Sequence, residues 1–169
     1  MEITRHGEAA QTNGDALQLG HEVPAFSLQK ADGSTFTQEQ LHGEYTLISV
    51  VPNINTRVCS ISTKRFNQSV DQFKDVQFLT VSTNTNAEQE SWCAAEGVKS
   101  MQLMSDAKHE FGMAFGLYLA DNGTDARSVW IITPDGKVAY RELVKEESEE
   151  PDYNSALAYL EAHQHNAAE

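Results

Sequence analysis

The stretch LISVVPNINTRVC at 47–59 decides how this chain folds. Its first five residues form an apolar run rich in β-branched side chains, which is typical of a strand covered on both faces. Pro52 ends that strand, because proline has no N–H to donate to a neighbouring strand. Cys59 follows seven residues later, just before a helical pattern of apolar residues over 66–73. The stretch therefore predicts a buried strand, a loop and a helix that begins near a cysteine.

The segments that follow add a second strand and a second helix. Residues 76–81 (VQFLTV) predict another buried strand, and Thr85 with Glu88 forms a capping box that opens a helix through Trp92 and Cys93. Further patterns predict a strand at 26–29, a short helix that ends at Gly116, a hairpin with strands at 128–133 and 137–140, and a terminal helix after Pro151.

This order of elements predicts an α/β protein with a central mixed β-sheet and helices on both faces. It is the element order of the thioredoxin fold with additions. An N-terminal β-hairpin is expected in the polar stretch before Gly20. No internal repeat or low-complexity linker interrupts the chain, so we expect a single domain over residues 1–169.

The charge balance of the chain excludes some classes of partner. Twelve Lys and Arg residues against 25 Asp and Glu give a formal net charge of −13. Nucleic-acid binding and docking on anionic membranes both need a basic surface, so neither is expected. No apolar run is long enough to span a bilayer, and the first residues lack the hydrophobic core of a signal peptide. We therefore expect a cytoplasmic protein.

The chain has two cysteines, Cys59 and Cys93, which lie 34 positions apart. This spacing forms neither a CxxC motif nor a zinc-ligand cluster, so no metal or cofactor is expected. In a reducing compartment, such a pair is catalytic, redox-sensing or merely buried more often than it is a permanent disulfide.

The predicted position of Cys59 favours a reactive thiolate. A helix N-terminus carries unsatisfied N–H groups and about half a positive charge, and both lower the pKa of a cysteine placed there. Thr56 lies three residues earlier, where its hydroxyl either faces the sulfur or caps the helix.

The pattern Pro52-x-x-x-Thr56-x-x-Cys59 resembles the PxxxTxxC active-site signature of peroxiredoxins. The chain is most similar to the thiol peroxidases, the atypical two-cysteine subfamily, and the similarity extends over about 25–160. Other stretches that resemble that subfamily are VCS at 58–60, RFNQ at 65–68, WCAAEG at 92–97, the hairpin after 126–127 and EPDY at 150–153.

The resemblance implies a role for five residues. Cys59 would be the peroxidatic cysteine and Cys93 the resolving cysteine. Thr56 would hydrogen-bond the thiolate and the peroxide, and Pro52 would shield the pocket from water. Arg127 matches the family arginine beside the sulfur. A guanidinium suits this role because it is always charged and can hold a peroxide oxygen.

The resemblance also implies an activity and partners. The chain would reduce hydrogen peroxide and organic hydroperoxides through a sulfenic acid and an intramolecular disulfide, in antioxidant defence. Thioredoxin would recycle it, and the subfamily typically forms homodimers. Asn55 and Arg57 stand where the subfamily carries Asp and a small residue, on the loop near the surface through which these proteins pair.

Two other functions are compatible with the same cysteines. One is a non-enzymatic redox switch or binding protein, in which the Cys59–Cys93 bond regulates a partner. The other is a permanent structural disulfide in an exported domain. Thr56 and Arg127 favour the enzyme over the switch, because a switch has no need of groups that hold a peroxide.

Overall fold

Buried apolar strands build the centre of the molecule. The computed structural model describes residues 2–5, 7–30, 33–53, 76–96, 102–146, 149 and 151–167, with the side chains of 90, 93–96 and 163–167 left out. Its strands are β1 (Glu2–Arg5), β2 (Glu8–Gln11), β3 (Ser27–Lys30), β4 (Thr35–Thr37), β5 (Tyr45–Val50), β6 (Val76–Ser82), β7 (Gln102–Ser105), β8 (Tyr118–Leu119), β9 (Thr124–Asp125), β10 (Ser128–Ile132) and β11 (Val138–Leu143).

In the described part of the chain, three helices and one 3-10 turn accompany these strands. The helices are α1 (Asn86–Glu96), α2 (Glu110–Phe115) and α3 (Tyr153–Ala167), and the 3-10 turn spans Gln38–Leu41. Helix α2 ends at Gly116, whose φ of 73° is the left-handed conformation that favours glycine. The helix predicted over 66–73 lies outside the described residues.

A seven-stranded mixed sheet confirms the predicted architecture. Its strand order is β11-β10-β5-β6-β7-β3-β4, with β5, β6 and β7 parallel and the remaining pairs antiparallel. The predicted N-terminal hairpin is β1–β2, and the predicted hairpin after Arg127 is β10–β11. Strands β4, β7, β8 and β9 are short and were missed by the sequence patterns.

The sheet separates two apolar cores, one on each face. Phe111 and Phe115 of α2 pack on one face against Trp130. Trp92 of α1 and Leu160 of α3 belong to the core on the other face. Helices therefore cover both faces, as predicted. Within the described residues, no helix is long and apolar enough to cross a membrane.

Candidate functional site

The carboxyl ends of the parallel strands β5, β6 and β7 meet at one edge of the sheet, which we call the carboxyl edge. Crevices outside such strand ends are where open α/β sheets bind ligands. The N–H of Val51 donates to the carbonyl of Val81 at 2.9 Å, and the N–H of Asp106 donates to the carbonyl of Ser82 at 2.8 Å. All three strands are therefore held together up to this edge.

Pro52 lies at the carboxyl edge, one residue after the last β5–β6 hydrogen bond. Its side chain is half-buried. The next residue, Asn53, accepts a hydrogen bond from the side-chain amide of Asn84, with 3.3 Å between nitrogen and oxygen. The chain thus leaves the sheet at Pro52, as predicted. Thr56 and Cys59 lie outside the described residues.

The strand register places Arg127 at the carboxyl edge, opposite the residue that precedes Pro52. Ser128 opposes Val50 in the antiparallel pair β10–β5, so the register, continued by one residue, sets Arg127 next to Val51. The residue is only 4% exposed. A guanidinium presents five N–H donors in a planar fork, so Arg127 offers positive charge and hydrogen-bond donors where the chain leaves β5.

Helix α1 carries the backbone of Cys93 near its C-terminal end, as predicted; the sulfur lies outside the described part. The capping box is present: the N–H of Thr85 donates to the Glu88 carboxylate at 3.1 Å, and the N–H of Glu88 donates to the Thr85 hydroxyl at 3.3 Å. Hydrogen bonds donated to the Glu88 carboxylate by the N–H and by the hydroxyl of Thr85 lower the pKa of Glu88. The box fixes where the helix begins.

Gln89 ties the middle of α1 to the sheet, a role that no motif in the sequence marks. Its side chain is 2% exposed, and its amide nitrogen donates to the hydroxyl of Ser82 and to the carbonyl of Met104, both at 2.9 Å. Gln89 lies one helical turn before Cys93. Its spacing of three from the buried Trp92 is the sequence signal that places it on the inner face of α1.

Two aspartates that no sequence motif marks, Asp106 and Asp125, are buried in the described part of the chain. Asp106 follows β7 and accepts hydrogen bonds from the N–H groups of Phe111 and Gly112, at 2.9 and 2.8 Å. Asp125 is the last residue of β9 and is fully buried. Burial first, and then the Asp106 carboxyl, raises the pKa of Asp125 well above its usual range.

A buried guanidinium at the carboxyl edge suits anion or peroxide chemistry. The strand register sets Arg127 opposite the residue before Pro52, and α1, which carries Cys93, is anchored to the same sheet. Within the described ranges, no three His, Cys, Asp or Glu side chains are placed to hold a metal ion.

Known proteins are similar to this chain over nearly its whole length. Residues 19–141 match the model of the AhpC/TSA family. The thiol peroxidase of Bacillus subtilis is 33% identical over 162 residues, covering 95% of this chain and 97% of that protein. The thiol peroxidase of Mycobacterium tuberculosis is 34% identical over 164 residues, covering 95% and 99%.

A solved structure agrees with these sequence matches. The crystal structure of a peroxiredoxin-like protein from Aquifex aeolicus superposes with a TM-score of 0.87 at 26% identity, covering 95% of this chain and 96% of that one. Pro52 and Arg127 both lie within the residues that match the family model.

Proposed function

This chain belongs to the AhpC/TSA family, with the thiol peroxidases, and we propose that it is a peroxidase that reduces hydroperoxides in antioxidant defence. One observation carries the proposal beyond family membership. Arg127 is buried opposite the end of β5, at the point where the chain leaves the sheet for the segment that carries Thr56 and Cys59. A buried, permanently charged guanidinium can bind a peroxide oxygen and stabilise negative charge that develops on it.

The first step is nucleophilic attack by the Cys59 thiolate on one peroxide oxygen. The S–O bond forms as the O–O bond breaks, and the departing oxygen takes up a proton and leaves as water or an alcohol. The Thr56 hydroxyl and the Arg127 guanidinium stabilise charge on the reacting oxygens, while Pro52 limits the access of water. Cys59 becomes a sulfenic acid.

The second step forms a disulfide within the chain. The Cys93 thiol attacks the Cys59 sulfenic sulfur, the S–S bond forms, and the hydroxyl leaves as water. A disulfide needs its two Cα atoms within about 7 Å. Cys93 lies in a helix, so the turn around it must unwind first. The bond closes a loop and so lowers the conformational entropy of the unfolded chain, which stabilises the disulfide-bonded fold by about 4 kcal/mol. This gain offsets the loss of the helical turn.

A reductant then returns both cysteines to thiols. A thioredoxin-like dithiol attacks the Cys59–Cys93 disulfide, passes through a mixed disulfide and leaves oxidised. We place this cycle in a single cytoplasmic domain over residues 1–169 that pairs as a homodimer. The switch hypothesis needs the same disulfide but no cation at the carboxyl edge, so the buried position of Arg127 favours the enzyme.

The test is peroxide consumption with thioredoxin and its reductase. We expect Cys59→Ser to be inactive, and Cys93→Ser to turn over once and then stall with thioredoxin as reductant. Arg127→Lys should slow the peroxide step, because an ammonium lacks the planar fork of donors. Arg141→Lys is its control, since Arg141 donates to the carbonyl of Leu17 at 2.7 Å, away from the carboxyl edge. Sustained turnover by Cys59→Ser would overturn the proposal.

A further inference from the structure

The two buried aspartates do not hold the same hydrogen bonds. Each oxygen of Asp106 accepts an N–H from the first turn of α2. Neither oxygen of Asp125 accepts a hydrogen bond from a donor in the described part of the chain. An ionised carboxylate buried without donors is strongly disfavoured. Asp125 is therefore the member of the pair that carries a proton.

Gly112 shows how closely the two carboxyls approach the same point. A Cβ atom built on this glycine would lie 1.9 Å from Oδ1 of Asp125 and 3.2 Å from Oδ2 of Asp106. The carboxyl of Asp125 thus occupies the space that any side chain at residue 112 would need. A hydrogen bond between two carboxyls exists only while one of them is protonated.

Other titratable groups surround the pair on the neighbouring elements. Tyr118 of β8 is the register partner of Asp125, and the ring of His109 lies 4.5 Å from the Tyr118 ring, centroid to centroid. Arg127 follows Asp125 by two residues. Among these groups, Asp106 is the one that adds to burial in raising the pKa of Asp125.

Backbone hydrogen bonds connect this pair to Arg127. The N–H of Leu117 donates to the carbonyl of Gly112 at 2.8 Å, and the N–H of Ala126 donates to the carbonyl of Leu117 at 2.9 Å. Ala126 immediately precedes Arg127. If β9 moves away from α2, Arg127 therefore moves with it, because Arg127 follows the end of β9 by only two residues.

We propose that Asp125 is a positioning residue for peroxide reduction: its protonated carboxyl donates a hydrogen bond to Asp106, which holds β9 on α2 and so keeps Arg127 at the carboxyl edge. The inference rests on the proposed role of Arg127. When the shared proton is lost to solvent, two negative charges face each other beside Gly112. The strand then separates from α2, and Arg127 moves away from the peroxide.

The test measures the rate of Cys59 oxidation by hydrogen peroxide as a function of pH. In the wild type we expect an alkaline limb on which the rate falls, approaching tenfold per pH unit, although more thiolate is present. Asp125→Asn should lose this limb, because its amide donates to Asp106 at every pH. At pH values below this alkaline limb, Cys59 should be oxidised at least tenfold more slowly in Asp125→Ala than in the wild type. The pKa of Cys59 should be unchanged. Asp121→Asn removes an exposed carboxylate bonded to Arg5, and it should keep the wild-type profile.

Two results would overturn the inference: an alkaline limb that persists in Asp125→Asn, or a full rate in Asp125→Ala. If Asp125→Ala does not fold, the profile of Asp125→Asn decides. Urea unfolding separates this inference from the proposed function. Because folding raises the pKa of Asp125, wild-type stability should fall relative to Asp125→Asn as pH rises above about 4. That difference does not depend on peroxidase activity, whereas a chain that consumes no peroxide in any variant would contradict the proposed function instead.

Discussion

Replacing Gln89 with Leu should speed disulfide formation while weakening the fold. Leucine has a similar volume and a helix propensity at least as good, so the substitution removes mainly the two hydrogen bonds to Ser82 and Met104. These bonds hold α1 on the sheet one turn before Cys93. If α1 has to leave the sheet before Cys93 reaches Cys59, the bonds oppose that step.

The size of the effect follows from the two hydrogen bonds. Each contributes about 0.5–1.5 kcal/mol net, so together they contribute about 1–3 kcal/mol. Each 1.36 kcal/mol corresponds to a factor of ten in rate. Disulfide formation in Gln89→Leu should therefore be faster by about 5- to 150-fold, and the free energy of unfolding should fall by about 1–3 kcal/mol.

Stopped-flow fluorescence can follow the reaction after one equivalent of peroxide. Trp92 is buried next to Cys93 in the chain, so its emission reports the opening of α1. The earlier step, oxidation of Cys59, should keep its wild-type rate. Ala87→Leu is the matched control, because it introduces the same side chain at an exposed position of the same helix. A destabilised Gln89→Leu protein with unchanged or slower disulfide formation would refute the reasoning, since α1 would then not limit the step.

Two other substitutions test the surroundings of the site. Gly112→Ala should lower the free energy of unfolding by about 1–3 kcal/mol through the clash with the Asp125 carboxyl. In urea titrations, the same substitution should cost much less when it is made in an Asp125→Ala background and compared with Asp125→Ala alone. Glu88→Gln should destabilise the chain at neutral pH, because hydrogen bonds from Thr85 lower the pKa of Glu88 in the folded state. Its difference from wild type should disappear in acid unfolding curves as pH falls through that lowered pKa, and a difference that persists in acid would contradict this assignment.

The parts of the fold that the sequence predicts are those with a strong local pattern. The apolar run at 47–51 and the run at 76–81 match the central parallel strands β5 and β6, because strands buried on both faces need apolar residues at nearly every position. The capping box at Thr85 places the start of α1 correctly. Strand β7 (Gln102–Ser105) was missed because four residues with polar ends show too little periodicity to predict a strand. In the sheet it pairs with both β6 and β3.

The site was predictable to the extent that a motif marks it. The PxxxTxxC motif begins at Pro52, and the structure places this residue where β5 ends. Arg127 is harder to predict, since a lone arginine before a strand is more often a surface cation, and the resemblance to peroxiredoxins supplied its role. Gln89 and Asp125 could not be found in this way, because their partners Ser82, Met104 and Asp106 are brought to them by the pairing of distant strands.

Asp125 is an unusual choice if stability alone is considered. Asp106 uses both of its oxygens to accept N–H groups from α2, so residue 125 has to offer Asp106 a donor. An asparagine would offer one at every pH, whereas an aspartate does so only while it is protonated. A raised pKa therefore sets an upper pH limit on the contact between β9 and α2. Since Arg127 follows this contact by two residues, a single carboxyl can limit peroxide reduction at alkaline pH without touching the peroxide.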